Sequence, residues 1–97
     1  MVYAVDGAEL AKICRQYRVL RLSIFGSAAR AELEPESDVD FLIEYDPANR
    51  PRMTEMQELE DRLSALYGGR KIDLLNPKYL NPRLRDRILA EAQLQYG

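Results

Sequence analysis

Phe25-Gly26-Ser27-Ala28-Ala29-Arg30 and, beginning ten residues beyond the serine, Asp38-Val39-Asp40-Phe41-Leu42-Ile43 are the stretches on which the reading of this chain turns. Residues 19–25, Val-Leu-Arg-Leu-Ser-Ile-Phe, alternate in polarity as a half-buried strand does. Gly26-Ser27 punctuates that strand, and Ala28-Ala29-Arg30-Ala31 suits a short helix. Glycine lets the backbone turn sharply and approach a ligand closely. The free amides of a helix start, together with the Ser27 hydroxyl, can hold phosphate oxygens. Gly-Ser is also an ordinary turn and helix cap, and Arg30 serves equally as a phosphate contact or a solvent-facing arginine. Glu32 to Ser37, with Pro35 inside it, is an acidic loop, and residues 38–45 read as a second strand.

Asp38 and Asp40 stand at i and i+2 on that strand. Their side chains therefore leave the same face, roughly 7 Å apart at the backbone. Carboxylates converging from that separation can hold two divalent cations ~3.5–4 Å apart, the spacing used in in-line phosphoryl chemistry. Residues 71–75, Lys-Ile-Asp-Leu-Leu, make a third strand, on which Asp73 has the matching parity. Like charges gathered this closely repel unless a cation neutralises them or one of them stays protonated. An all-oxygen donor set favours Mg²⁺ or Mn²⁺ over zinc. The alternatives are a cap or turn role for Asp38 and a cross-sheet ion pair of Asp40 with Arg21 or Lys71.

Working outward, residues 7–17 place Leu10, Ile13, Cys14 and Tyr17 at helical spacing behind Asp6 as N-cap. Thr54 is positioned to cap a helix over about 55–67, with Met56, Leu59, Leu63 and Leu66 on one side and Gly68-Gly69 as its stop. Asn81-Pro82 opens a last helix whose apolar stripe is Leu84, Ile88, Leu89 and Ala92. Leu94 and Tyr96 follow it as a helix end, frayed or core-packed, or as an apolar docking surface. Parity sorts Leu20, Leu22 and Ile24, then Val39, Phe41 and Ile43, then Ile72 and Leu74 onto one sheet face. Arg21, Ser23, Asp38, Asp40, Glu44, Lys71 and Asp73 fall on the other. The expectation is a single α/β (α+β) domain over residues 1–97. It has a small three-stranded mixed sheet, helices on the apolar face and a charged, metal-binding opposite face.

Composition narrows the chemistry. The 97 residues include no histidine and a single cysteine, Cys14, which lies on a helical apolar stripe. Ser-His-Asp and Cys-His catalysis, intramolecular disulfides and His-ligated zinc are excluded on that ground. Lys and Arg number 14 against 16 Asp and Glu, for a net charge of −2, so general nucleic-acid binding is not indicated. No apolar run approaches the ~20 residues of a membrane span, and no signal peptide is visible at Met1, so a cytoplasmic location is the expectation.

The spacing Gly26-Ser27-x10-Asp38-Val39-Asp40 resembles the signature of the polymerase-β-like nucleotidyltransferases. Average residue usage yields that pattern by chance in roughly one chain in a thousand of this length. The strings around it look especially like the short members called minimal nucleotidyltransferases. Asp73 matches the third family carboxylate, and Asn81-Pro82-x-Leu84-Arg85-x-x-Ile88-Leu89-x-Glu91-Ala92 resembles the usual final helix. The resemblance implies that Asp38 and Asp40 bind two Mg²⁺, that Ser27 with the Gly26 turn holds the outer phosphates of ATP, and that Asp73 shares a metal and deprotonates the acceptor hydroxyl. The implied reaction is in-line attack on the α-phosphorus with release of pyrophosphate.

The brevity of the chain leaves no residues for gripping a primer, an RNA or a drug, so the expected acceptor is another protein. Minimal nucleotidyltransferases are similar in this respect. The resemblance implies an antitoxin that transfers AMP to a tyrosine of a helical HEPN toxin and forms a hetero-oligomer with it. Two alternatives stay open: a non-catalytic module that neutralises its partner by contact, and a nucleotidyltransferase acting on a small molecule.

Overall fold

A computed structural model describes residues 5–26 and 38–97. Ser27, Arg30 and the expected helix at 28–31 lie outside the described residues. Helix α1 spans Gly7–Gln16, and the Asp6 carboxylate accepts the amides of Ala8 at 2.9 Å and Glu9 at 3.3 Å, as its sequence position predicts. Strand β1 covers Val19–Phe25 and β2 covers Val39–Tyr45. Helix α2 spans Met53–Leu66, strand β3 Ile72–Leu75 and helix α3 Pro82–Glu91, with a 3₁₀ turn at Pro77–Tyr79 between the last two. The expected Thr54 cap is displaced: α2 begins at Met53, and the Arg52 amide donates to Glu55 Oε1 at 3.0 Å. Pro51 favours an extended residue at 50, and Arg52 takes the extended cap conformation after it.

Among the described residues the sheet has four strands, not three, in the order β3-β2-β1-β4, where β4 is Gln93–Tyr96. β2 runs parallel to β3, and β1 is antiparallel to both β2 and β4, so the sheet is mixed as expected. β4 replaces the helix end expected at Leu94 and Tyr96. Tyr96 packs against the core, whereas Leu94 is 56% exposed.

Helices α1 and α2 cover one face. Leu10, Ile13 and Cys14 from α1 and Leu59 and Leu63 from α2 meet Leu22, Ile24, Val39, Phe41, Ile43 and Ile72 of the sheet in one buried cluster. Leu10, Leu22, Phe41, Leu59 and Leu63 are essentially inaccessible to solvent. Each such side chain stabilises the fold by roughly 1.5–3 kcal/mol. Tyr67 is equally buried, stands edge-on to Phe41 at 5.1 Å and donates its hydroxyl to Gln95 Oε1 at 2.9 Å, tying the core to β4.

Parity misplaces one residue. Leu20 is 56% exposed and Val19 is buried instead. Val19 pairs with Tyr45 and Arg21 with Glu44, so β1 advances two residues while β2 advances one. The bulge inverts the alternation ahead of Arg21 and turns Leu20 outward. The last helix also departs from expectation: α3 buries no residue, and Leu84 and Leu89 are about half exposed. The second sheet face is not wholly charged, since Leu42 and Phe25 are buried there, and Pro77, Leu89 and Ala92 border it.

Candidate active site

The acids expected to carry chemistry come together at one end of the sheet. β2 and β3 pair in register, with Asp40 directly beside Asp73 on the neighbouring strand. Side chains paired this way leave the same face about 4.8 Å apart. Asp38 precedes β2 by one residue and shares the parity of Asp40. All three are part-buried. Asp40 is the centre of the group: burial first, and then the charges of Asp73 and Asp38, push its carboxyl above the usual carboxylate range. Arg21, one of the two cations expected to pair with it, pairs with Glu44 at 3.7 Å instead.

The turn after β1 belongs to the same row. Phe25 is the partner of Asp40 on β1, so Gly26 leaves the sheet beside that carboxylate. Gly26 has φ +70°, a left-handed backbone, and a Cβ placed on it would stand 3.1 Å from Asp40 Oδ2. Only glycine fits both constraints without strain. Its N–H donates to Glu91 Oε1 at 2.9 Å.

Three carboxylates with no nitrogen or sulfur donor match the chemistry of Mg²⁺ or Mn²⁺. Among the described residues no three acid or cysteine side chains are already gathered around one point, so Asp38, Asp40 and Asp73 would have to turn toward one another to share an ion. A bound cation would relieve the repulsion of Asp40 by Asp73 and Asp38.

Sequence reasoning places Glu91 in the last helix without a role at the site, and misses the strand after it. The signal was present in Gln93-Leu94-Gln95-Tyr96, which alternates polar and apolar with the period of a strand. A separate cavity of about 340 Å³ between Tyr45, Arg50, Asn76, Lys78 and Tyr79 lies at the far end of β2, away from the acids. Cys14 is a core residue, its thiol pushed up to about 12 by burial.

The sequence pattern described as "Polymerase beta, Nucleotidyltransferase" matches residues 8–97. The chain belongs to that family of nucleotidyltransferases. Among its relatives, the protein adenylyltransferase MntA of Thermococcus cleftensis is 31% identical over 84 residues, covering 87% of this chain and 82% of the relative. A Methanocaldococcus jannaschii protein provisionally named protein adenylyltransferase MJ1379 is 38% identical over 74 residues, covering 75% of this chain and 73% of its own. A solved structure provisionally described as a minimal nucleotidyltransferase superposes with a TM-score of 0.73 at 29% identity, over 90% of this chain and 86% of that one. A toxin–antitoxin crystal structure with AMP-PNP shares the fold, with a TM-score of 0.70 at 17% identity over 96% of this chain and 74% of that one.

Proposed function

We propose that this protein is the antitoxin of a toxin–antitoxin pair and transfers AMP from ATP to a hydroxyl, a tyrosine, of its HEPN-type toxin partner. The observation that carries the reading is the row of Asp38, Asp40 and Asp73 beside the Gly26 turn. Support for the acceptor being a protein comes from the relatives named protein adenylyltransferases. The fold shared with toxin–antitoxin structures, one of them with AMP-PNP, supports the toxin partner and the adenine nucleotide.

In this reading Asp38 and Asp40 hold Mg²⁺, and the ions supply charge neutralisation on the triphosphate. Ser27 and Arg30, which lie outside the described residues, are the side chains expected to meet its phosphates. Asp73, beside Asp40, accepts the proton of the attacking hydroxyl. The acceptor oxygen forms a bond to the α-phosphorus, the bond to the β-phosphate oxygen breaks, and pyrophosphate leaves. Leu84, Leu89 and Leu94, each about half exposed, give the C-terminal elements an apolar surface suited to a bound partner.

The same leucines favour neutralisation by contact as the second reading. Incubation with ATP, Mg²⁺ and the product of the neighbouring gene separates the two. Mass spectrometry is expected to find one or more adenylyl groups on a tyrosine of the partner, and none when Asp38→Asn replaces the wild type. Full neutralisation of the partner by Asp38→Asn, with no adenylyl group found, establishes the contact reading instead. Adenylyl groups found on small molecules and never on protein would overturn the choice of acceptor.

A further inference from the structure

Gly26 is caught between two carboxylates. Its N–H donates to Glu91 Oε1 at 2.9 Å, and the position its missing Cβ would occupy lies 3.1 Å from Asp40 Oδ2. The sheet register explains why Glu91 is there. Ile24 pairs with Gln93 in the antiparallel β1–β4 ladder. Glu91 closes α3 two residues before Gln93, so it is carried to the end of β1, where its carboxylate meets the Gly26 N–H. Phe25 in turn pairs with Asp40, and Asp40 with Asp73. A row thus crosses the sheet from Asp73 through Asp40 to Phe25, and Glu91 meets its end at the Gly26 turn.

A glycine with a left-handed backbone gains nothing from its own side chain to hold that conformation, and it loses more freedom on ordering than any other residue. The Glu91 carboxylate supplies an external hold, in a hydrogen bond strengthened by the acceptor's charge. A carboxylate does not bind a triphosphate, since like charges repel. Nor is the Gly26 amide open to a phosphate oxygen while Glu91 accepts it.

We propose that Glu91 is a positioning residue for nucleotide binding. It fixes the Gly26 turn at the end of β1 and takes no part in the reaction. Gly26 is then the hinge of the phosphate cradle and not one of its hydrogen-bond donors. The inference rests on the reading of this site as a nucleotide site.

The test compares Glu91→Ala with Glu91→Gln, whose amide oxygen can still accept from the Gly26 N–H. Binding of α,β-methylene-ATP with Mg²⁺ is measured by calorimetry, and the Gly26 amide is followed by NMR without nucleotide. Glu91→Ala is expected to weaken binding about tenfold and Glu91→Gln by less than about threefold, the size of one charge-assisted hydrogen bond and its neutral replacement. The Gly26 amide is expected to move upfield and exchange faster in the alanine variant alone. Unchanged nucleotide affinity in the alanine variant, with only its melting temperature lowered, assigns Glu91 a purely structural role and overturns the proposal. Tighter binding in either variant also overturns it, because Glu91 would then be competing with phosphate. If the wild type binds no nucleotide, the reading of the site falls and the inference with it. An unmoved Gly26 amide instead sinks the positioning contact alone.

Discussion

Asp40 carries the largest electrostatic cost of the described site, and its consequences are measurable one residue at a time. The folded protein holds the Asp40 proton more tightly than the unfolded chain does. Its stabilising contribution is therefore complete below the ordinary carboxylate pKa and is lost as pH rises through its raised folded value. In metal-free buffer, Asp40→Asn is expected to raise the melting temperature near neutral pH, with the gain vanishing toward about pH 4. Mg²⁺ should then stabilise the wild type and leave the Asn variant unmoved. Equal melting temperatures at neutral pH without metal would contradict this assignment. Gly26→Ala forces a side chain into the left-handed region against Asp40 Oδ2 and is expected to cost about 1–2 kcal/mol in chemical denaturation. Cys14, with its thiol raised to about 12 and no solvent exposure, should resist thiol reagents at pH near 8 until the protein unfolds.

At the scale of elements, the sequence is legible where periodicity is long and unbroken. Leu10, Ile13 and Cys14 mark the buried face of α1, and Val39, Phe41 and Ile43 that of β2, as their spacing predicts. Leu20 was misread because a bulge is a matter of two strands' relative register, which one strand's alternation does not reveal. β4 was missed because four residues with a period of two are too short to stand out after a helical pattern. α3 keeps helical spacing in Leu84, Ile88 and Leu89 without burying any of them, so its apolar stripe marked a surface and not a core. Asp38, Asp40 and Asp73 could be found from parity alone, whereas Glu91 reaches Gly26 only through the β1–β4 register. Tyr67→Phe removes the hydroxyl's bond to Gln95 while keeping the ring beside Phe41, and is expected to cost about 1 kcal/mol. A denaturation midpoint unchanged by that substitution would show that β4 is not held through the core.

At the scale of the molecule, the three α-helices and four-stranded sheet of the described residues leave the acid row at one end and an apolar rim on the C-terminal elements. No helix among the described residues is long and apolar enough to cross a membrane. Leu84→Glu, on the exposed side of α3, is expected to change stability by less than about 0.5 kcal/mol while weakening recovery of the partner in a pull-down. Recovery equal to wild type would move the partner surface elsewhere. The central claim is that the Asp38, Asp40 and Asp73 row directs attack on the α-phosphorus of ATP. Parallel reactions with α-labelled and γ-labelled ATP, Mg²⁺ and the partner test it most directly. Label on the partner from α-labelled ATP alone, with the γ label recovered in pyrophosphate and both signals lost in Asp38→Asn, is the expected result. Label arriving from γ-labelled ATP, or transfer that survives Asp38→Asn, would contradict it.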